Sequence, residues 1–180
     1  MKDDRVDLTW TEGLFTAQVG IMWVLSALFG KQDRDKHGGD IHERWVSSIE
    51  GAAGEYVVAK YLGKHWDFTV SQPGDEFEFK ADVGPYQVRQ AQQHHYRMTL
   101  RKGADTDKPD VPFILVTGTM PHYRVRGWMY GREAMQDRYW SDPNGKGYAW
   151  WVPANDLRPM ETLPGPKEVE EDKLFFEGDL

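Results

Sequence analysis

ADVGPYQVR, residues 81–89, sets an acidic side chain before a Gly-Pro turn and then opens a short strand. A period of two puts Gln87 and Arg89 on one face of that strand and turns Val88 to the other, toward a core. Upstream, GAAGEYVVAKYLG at residues 51–63 lies inside a helix expected from Ile41 to Leu62 and ended by Gly63, because Trp45, Ile49, Ala52, Ala53, Tyr56, Val57, Ala59 and Leu62 recur near helical spacing. Gly51 and Gly54 weaken such a helix, so they are expected to admit a close approach to a sheet. Glu55 then sits mid-helix among apolar neighbours.

Thr9-Trp-Thr-Glu12 has the form of a capping box and predicts a first helix running to about Phe29, ahead of Gly30. After residue 63 the period changes. Short alternating or β-branched runs at 66–70, 77–80, 86–90, 96–101, 112–117, 123–130 and 148–152 predict strands, with a short helix over 132–138. Two helices followed by a meander of strands, with mixed pairing open, imply an α+β fold (α/β/α-like) in which helices flank a mixed central β-sheet.

The chain has 180 residues, enough for one domain spanning about 1–160. It has no cysteine, so neither disulfides nor thiolate metal sites are open to it. A reducing, cytoplasmic setting fits. The net charge of -7 is uneven: residues 161–180 hold seven acids against two lysines, leaving the body nearly neutral, and they read as a flexible acidic tail. Arg97, Arg101 and Lys102, and Arg124, Arg126 and Arg132, are local basic segments compatible with a nucleic-acid face. The uncharged run 13–29 raises the question of a membrane span. It follows Asp3, Asp4 and Asp7, carries Thr16, Gln18 and Ser26, and is expected instead to be a helix buried against the core, with no membrane role.

Asp82, Gln87 through its amide oxygen, the backbone carbonyl of Val88 and Glu55 from the helix form a hard-oxygen set of the kind that holds Mg²⁺ (or Mn²⁺), with Arg89 facing a phosphate. At these residues a resemblance enters. GAAGEYVVAKYLG, ADVGPYQVR, PFILVTG and YRVRGWMYGREAM resemble phage proteins of the PD-(D/E)XK nuclease-like superfamily, over roughly residues 9–160. The resemblance implies a restriction-endonuclease-like core and metal-dependent cleavage of nucleic acid, DNA above all, in a phage-infected cell, with a homodimer as one route to cutting two strands. It places the helical glutamate at Glu55, the aspartate at Asp82 and D/E-x-K on Gln87-Val88-Arg89. Gln in place of an acid removes a charge and favours a single ion. Arg in place of Lys stays protonated and cannot act as a general base. A second register, Asp75 with Glu78-Phe79-Lys80, spells E-x-K but crowds both halves of the motif together.

Bland readings stand beside these. Glu50 and Glu55 could be salt-bridged helix residues, Asp82 could organise its turn, and Arg89 could pair structurally with Glu55. His94 and His95 point to opposite faces of any strand and read as polar loop residues. Trp128, Trp140, Trp150 and Trp151 are more often packing than base-stacking groups. Two other functions compete: a nucleic-acid-binding or assembly protein on the same fold whose site has decayed, and an inhibitor or adaptor whose acidic tail mimics DNA.

Overall fold

The structure, a computed structural model, describes residues 3–29, 40–68, 70, 81–143, 145 and 147–166. The chain is α+β. In order it forms β1 (Arg5–Asp7), α1 (Trp10–Phe29), α2 (Ile41–Leu62), β2 (Gln87–Ala91), β3 (Met98–Leu100), β4 (Pro112–Thr119), β5 (His122–Tyr130), α3 (Gly131–Ala134), β6 (Trp140–Ser141) and β7 (Ala149–Val152). Among the described residues β1, β5, β4 and β2 make a four-stranded mixed sheet in that order, with β2 parallel to β4 at its edge. β3, β7 and β6 make a separate antiparallel sheet.

β4 shows how the layers meet. Its residues are buried from Pro112 to Gly118, as expected of a central strand covered on both faces. Ile114 and Val116 join the core under α2, with Ala53, Val57 and Val58, while Phe113 and Leu115 join a second core with Met98, Leu100 and Val152 of the small sheet. Along β5, Tyr123 and Val125 face the helix side, and so do Trp128 and Tyr130. That change of parity requires an extra residue. Leu115 pairs with Gly127 and Val116 with Val125, leaving Arg126 as a bulge next to Gly127, whose φ of 146° suits glycine.

The capping box is present: the Thr9 amide donates to Glu12 Oε2 at 2.7 Å and the Glu12 amide to Thr9 Oγ1 at 3.3 Å. Glu12 also ties α1 to α2, accepting from Tyr56 Oη at 2.9 Å and Lys60 Nζ at 2.9 Å. Burial alone would raise its pKa, but the Lys60, Thr9 and Tyr56 hydrogen bonds outweigh it and bring the carboxyl down to about 2. A depressed carboxyl stabilises the fold above its unfolded pKa, and that contribution fades as the pH falls from about 4.5 toward 2. Glu12→Gln is therefore expected to cost about 1–2 kcal/mol at pH 7, a gap that closes toward pH 2. Urea titrations at several pH values check this; an unchanged gap at low pH would show that packing, not charge, is at work.

α2 begins and ends as expected, capped by Asp40 at its start and closed by Gly63 at φ 64°. A Cβ at Gly20 of α1 would lie 2.5 Å from Ile49 Cα, so this glycine lets the two helices touch. Gly54 performs the expected service against the sheet, where a Cβ would meet Gln90 at 3.0 Å, whereas Gly51 faces open space.

Four expectations change. α1 is not wholly buried: Gly13, Thr16, Val19, Gly20 and Val24 face inward, while Trp10 (80% exposed) and Phe29 (77%) stand in solvent with Leu14, Met22 and Leu25. The helix is apolar all round but has α2 on one side, so its far face stays open. The run 66–70 forms no strand over its described residues; Trp66 is buried instead by edge-on contacts with Phe15 and Tyr56. The strands are not a meander, since β3 leaves the main sheet and β2 runs parallel to β4. The chain also stays on the body beyond residue 160. Trp128 Nε1 donates to Pro159 O and Thr162 Oγ1, and Tyr86 Oη donates to Pro164 O at 2.7 Å. Residues 71–80, with the second register at Asp75 and Glu78–Lys80, and the rest of the tail from 167 lie outside the described residues.

Candidate active site

Among the described residues β2 is an edge strand, and residue 88 presents its amide and carbonyl away from β4. Asp82 uses that edge. Its Oδ2 accepts the Val88 amide at 2.7 Å, closing the loop 82–88 around the Val83–Tyr86 bridge and the Gly84 turn at φ 58°. Asp82 thus organises its turn, as the bland reading had it, and in the same stroke fixes its carboxylate beside the strand.

Glu55 comes to the same place from α2. It is half-buried, and its Oε2 accepts the Trp66 indole N–H at 3.1 Å. Burial first, and the nearby Asp82 charge second, push its carboxyl up to about 8, against the opposing pull of the Trp66 hydrogen bond and Arg89. Asp82 is raised as well, chiefly by burial, with the Val88 amide and Arg89 acting the other way. Two carboxylates brought together from distant segments, each disfavouring ionisation, are short of positive charge.

Arg89 supplies some of it. Its Nη1 lies 3.9 Å from Asp82 Oδ2 and donates to the Val88 carbonyl at 2.7 Å, its Nη2 pairs with Asp105, and its guanidinium lies over the Phe113 ring at 4.9 Å. In place of the alternative pairing with Glu55, the ion pairs of Arg89 among the described residues are with Asp105 and Asp82. Asp105 is itself buried: Oδ2 accepts the Arg101 amide at 2.8 Å, and Lys108 Nζ lies 3.9 Å from Oδ1 while donating to Ala104 O. Burial lowers the Lys108 pKa, with Asp105 pulling it up.

Of the four expected ligands, Glu55 lies near enough to Asp82 for that carboxylate's charge to act on it. Glu55 and Asp82 each keep one oxygen without a partner among the described residues. The Val88 carbonyl is already taken by Arg89. Gln87 shares Arg89's face but is 2% exposed, makes no hydrogen bond to the cluster and leaves its amide nitrogen unpaired. Among the described residues no group of three or more His, Asp or Glu side chains is placed to hold a metal ion. Two carboxylates alone would need water and a substrate phosphate to complete the shell of one Mg²⁺ and could not neutralise a pair of ions.

Asp105 and Lys108 are the members that sequence reasoning missed. They lie in RKGADTDKPD, 101–110, where the composition reads as a solvated loop. The one available signal was the Asp-x-x-Lys spacing, which is common in any charged turn. Glu50 likewise proves structural, accepting from Tyr123 Oη at 2.7 Å and from the Met120 amide. His94 bonds Thr117 and Trp128 fills the core. Comparison of the chain with known protein families, with curated proteins and with solved structures finds no match.

Proposed function

We propose that this protein is a single-metal phosphodiesterase acting on nucleic acid, DNA above all, with a PD-(D/E)XK-like arrangement on a restriction-endonuclease-like core. The reading is carried by Asp82, which the Val88 amide holds at the edge of β2 with Arg89 Nη1 3.9 Å away, and by the half-buried Glu55, whose carboxyl is pushed toward protonation by burial and by the Asp82 charge. The order of these residues along the chain is also that of the superfamily motif. Glu55 and Asp82 would hold the ion, which when bound supplies Lewis-acid neutralisation of the charge that develops on a phosphate under attack. Asp82 is oriented for this by the Val88 amide and Glu55 by the Trp66 indole. Burial and the Asp82 charge favour the protonated Glu55 carboxyl, and a bound cation would favour its ionised form. Arg89, fixed by Asp105 and Phe113, keeps donors for a phosphate oxygen and stays charged throughout.

The test needs no substrate at first. Mg²⁺ at millimolar concentration is expected to raise the melting temperature by a few degrees at pH 8.5 and much less at pH 6, because at the lower pH it must displace a proton from Glu55. The same protein is then assayed for cleavage of single-stranded, duplex and branched DNA in Mg²⁺ and Mn²⁺. No melting shift at either pH, with no cleavage of any form, would overturn the reading.

A further inference from the structure

β3 alternates cleanly. Met98 and Leu100 turn into the second core, so Thr99 and its flanking neighbours Arg97 and Arg101 turn the other way. They form one wall of a cleft of about 840 Å³ that also takes in Arg89, His95, Tyr96 and Trp151. Thr99 pairs with Trp151 across the small sheet, so the indole belongs to the same outward row as the two arginines. Arg97 and Arg101 are exposed and make no ion pair among the described residues. Along a strand they stand about 13 Å apart, the scale of two nucleotide repeats in an extended chain. Tyr96 is 44% exposed and meets His95 edge-on.

Two cations without ion pairs among the described residues, set beside the exposed Tyr96 and the half-buried Trp151, match the arrangement that tracks a phosphate backbone while bases stack beside it. The rings here stand in the wall of a hollow, and a duplex keeps its base faces stacked inside the helix, where a concave wall cannot meet them. We infer that this cleft is the binding track for a single-stranded segment of nucleic acid, leading along β3 to Arg89 at the edge of the carboxylate pair. For calling that strand a substrate, the inference rests on the phosphodiesterase reading above.

Anisotropy of a labelled oligo-dT and of a hairpin duplex of equal nucleotide count, measured with the full chain in EDTA, tests the track without cleavage. Oligo-dT is expected to bind at least tenfold more tightly than the duplex. Tyr96→Ala should weaken it about 5- to 100-fold by loss of one stacked base. Arg97→Ala with Arg101→Ala should weaken it further and lower the slope of log affinity against log salt by about 1.4. All three side chains are exposed, so the variants should keep the wild-type melting temperature, and oligo-rU as a further probe separates DNA from RNA preference. Duplex binding as tight as oligo-dT, or variants with unchanged affinity and salt slope, would overturn the inference even if the protein cleaves DNA. Groove-dependent binding of oligo-dT without cleavage in Mg²⁺ would uphold the track and remove the catalytic reading instead.

Discussion

Glu55→Gln is expected to abolish most metal-dependent cleavage and, at high pH, to make the protein more stable than the wild type. The substitution keeps the shape of the side chain and an oxygen to accept the Trp66 indole N–H, and removes only the charge. Loss of one electrostatic stabiliser from such a site lowers turnover on the order of 10²–10³-fold. The stability effect follows from the raised carboxyl. Its folded-state pKa is near 8 against 4.5 in the unfolded chain, so the favourable contribution is complete below about pH 4.5 and is lost as the pH rises to about 8. Glutamine does not titrate and escapes this loss. Melting curves at pH 5 should nearly coincide. At pH 9 the variant should be more stable by on the order of 3 kcal/mol, or about 5–10 °C, and millimolar Mg²⁺ should narrow the gap by binding only the wild type. A variant that is inactive yet no more stable at pH 9 would mean that Glu55 is not a strained acid, and one that cleaves normally would exclude it as a ligand.

The half of this site lying on regular elements could be read before any coordinates. α2 announces itself through eight apolar positions at helical spacing and through Gly63, so Glu55 could be placed on a named turn. β2 and β4 follow from alternation and from an unbroken buried run. What could not be read is the partner of each strand. A period of two reports that a strand has two faces, not which sheet it joins, so nothing in MTL, 98–100, says that it leaves β2 for β7. β1 is three residues with a charge at each end, too short for any pattern, and exists because β5 offers it an edge. Asp105 is the sharpest case. Its burial is created by Arg89, 16 positions earlier in the chain, and no local signal marks a loop aspartate as the counter-ion of a distant strand.

That dependence makes Asp105→Ala the most damaging single change to be expected at the fold level. The wild-type carboxylate, with 3% of its side chain exposed, faces Arg89 and Lys108 and also accepts the Arg101 amide. Removing it takes from Arg89 and the buried Lys108 the carboxylate they share, leaving Arg89 only Asp82 at 3.9 Å; breaking a buried pair by deleting one partner costs about 3–5 kcal/mol. For a chain of this size that is a fall of roughly 10 °C or more in melting temperature. The cost arises from cations that lose their main counter-charge rather than from a lost attraction, so deleting one of those cations should relieve it. Arg89→Met can lie on the Phe113 ring that now carries the guanidinium. The double variant Asp105→Ala with Arg89→Met should therefore recover at least 1 kcal/mol relative to Asp105→Ala alone, a coupling that urea titrations of the four-member cycle resolve. Strict additivity would mean that Asp105 acts through its hydrogen bond to the Arg101 amide and that Arg89 is held for another reason. A measured coupling would establish the buried pair as the element that fixes Arg89 beside the two carboxylates, and with it the orientation of the cation that a substrate phosphate would meet.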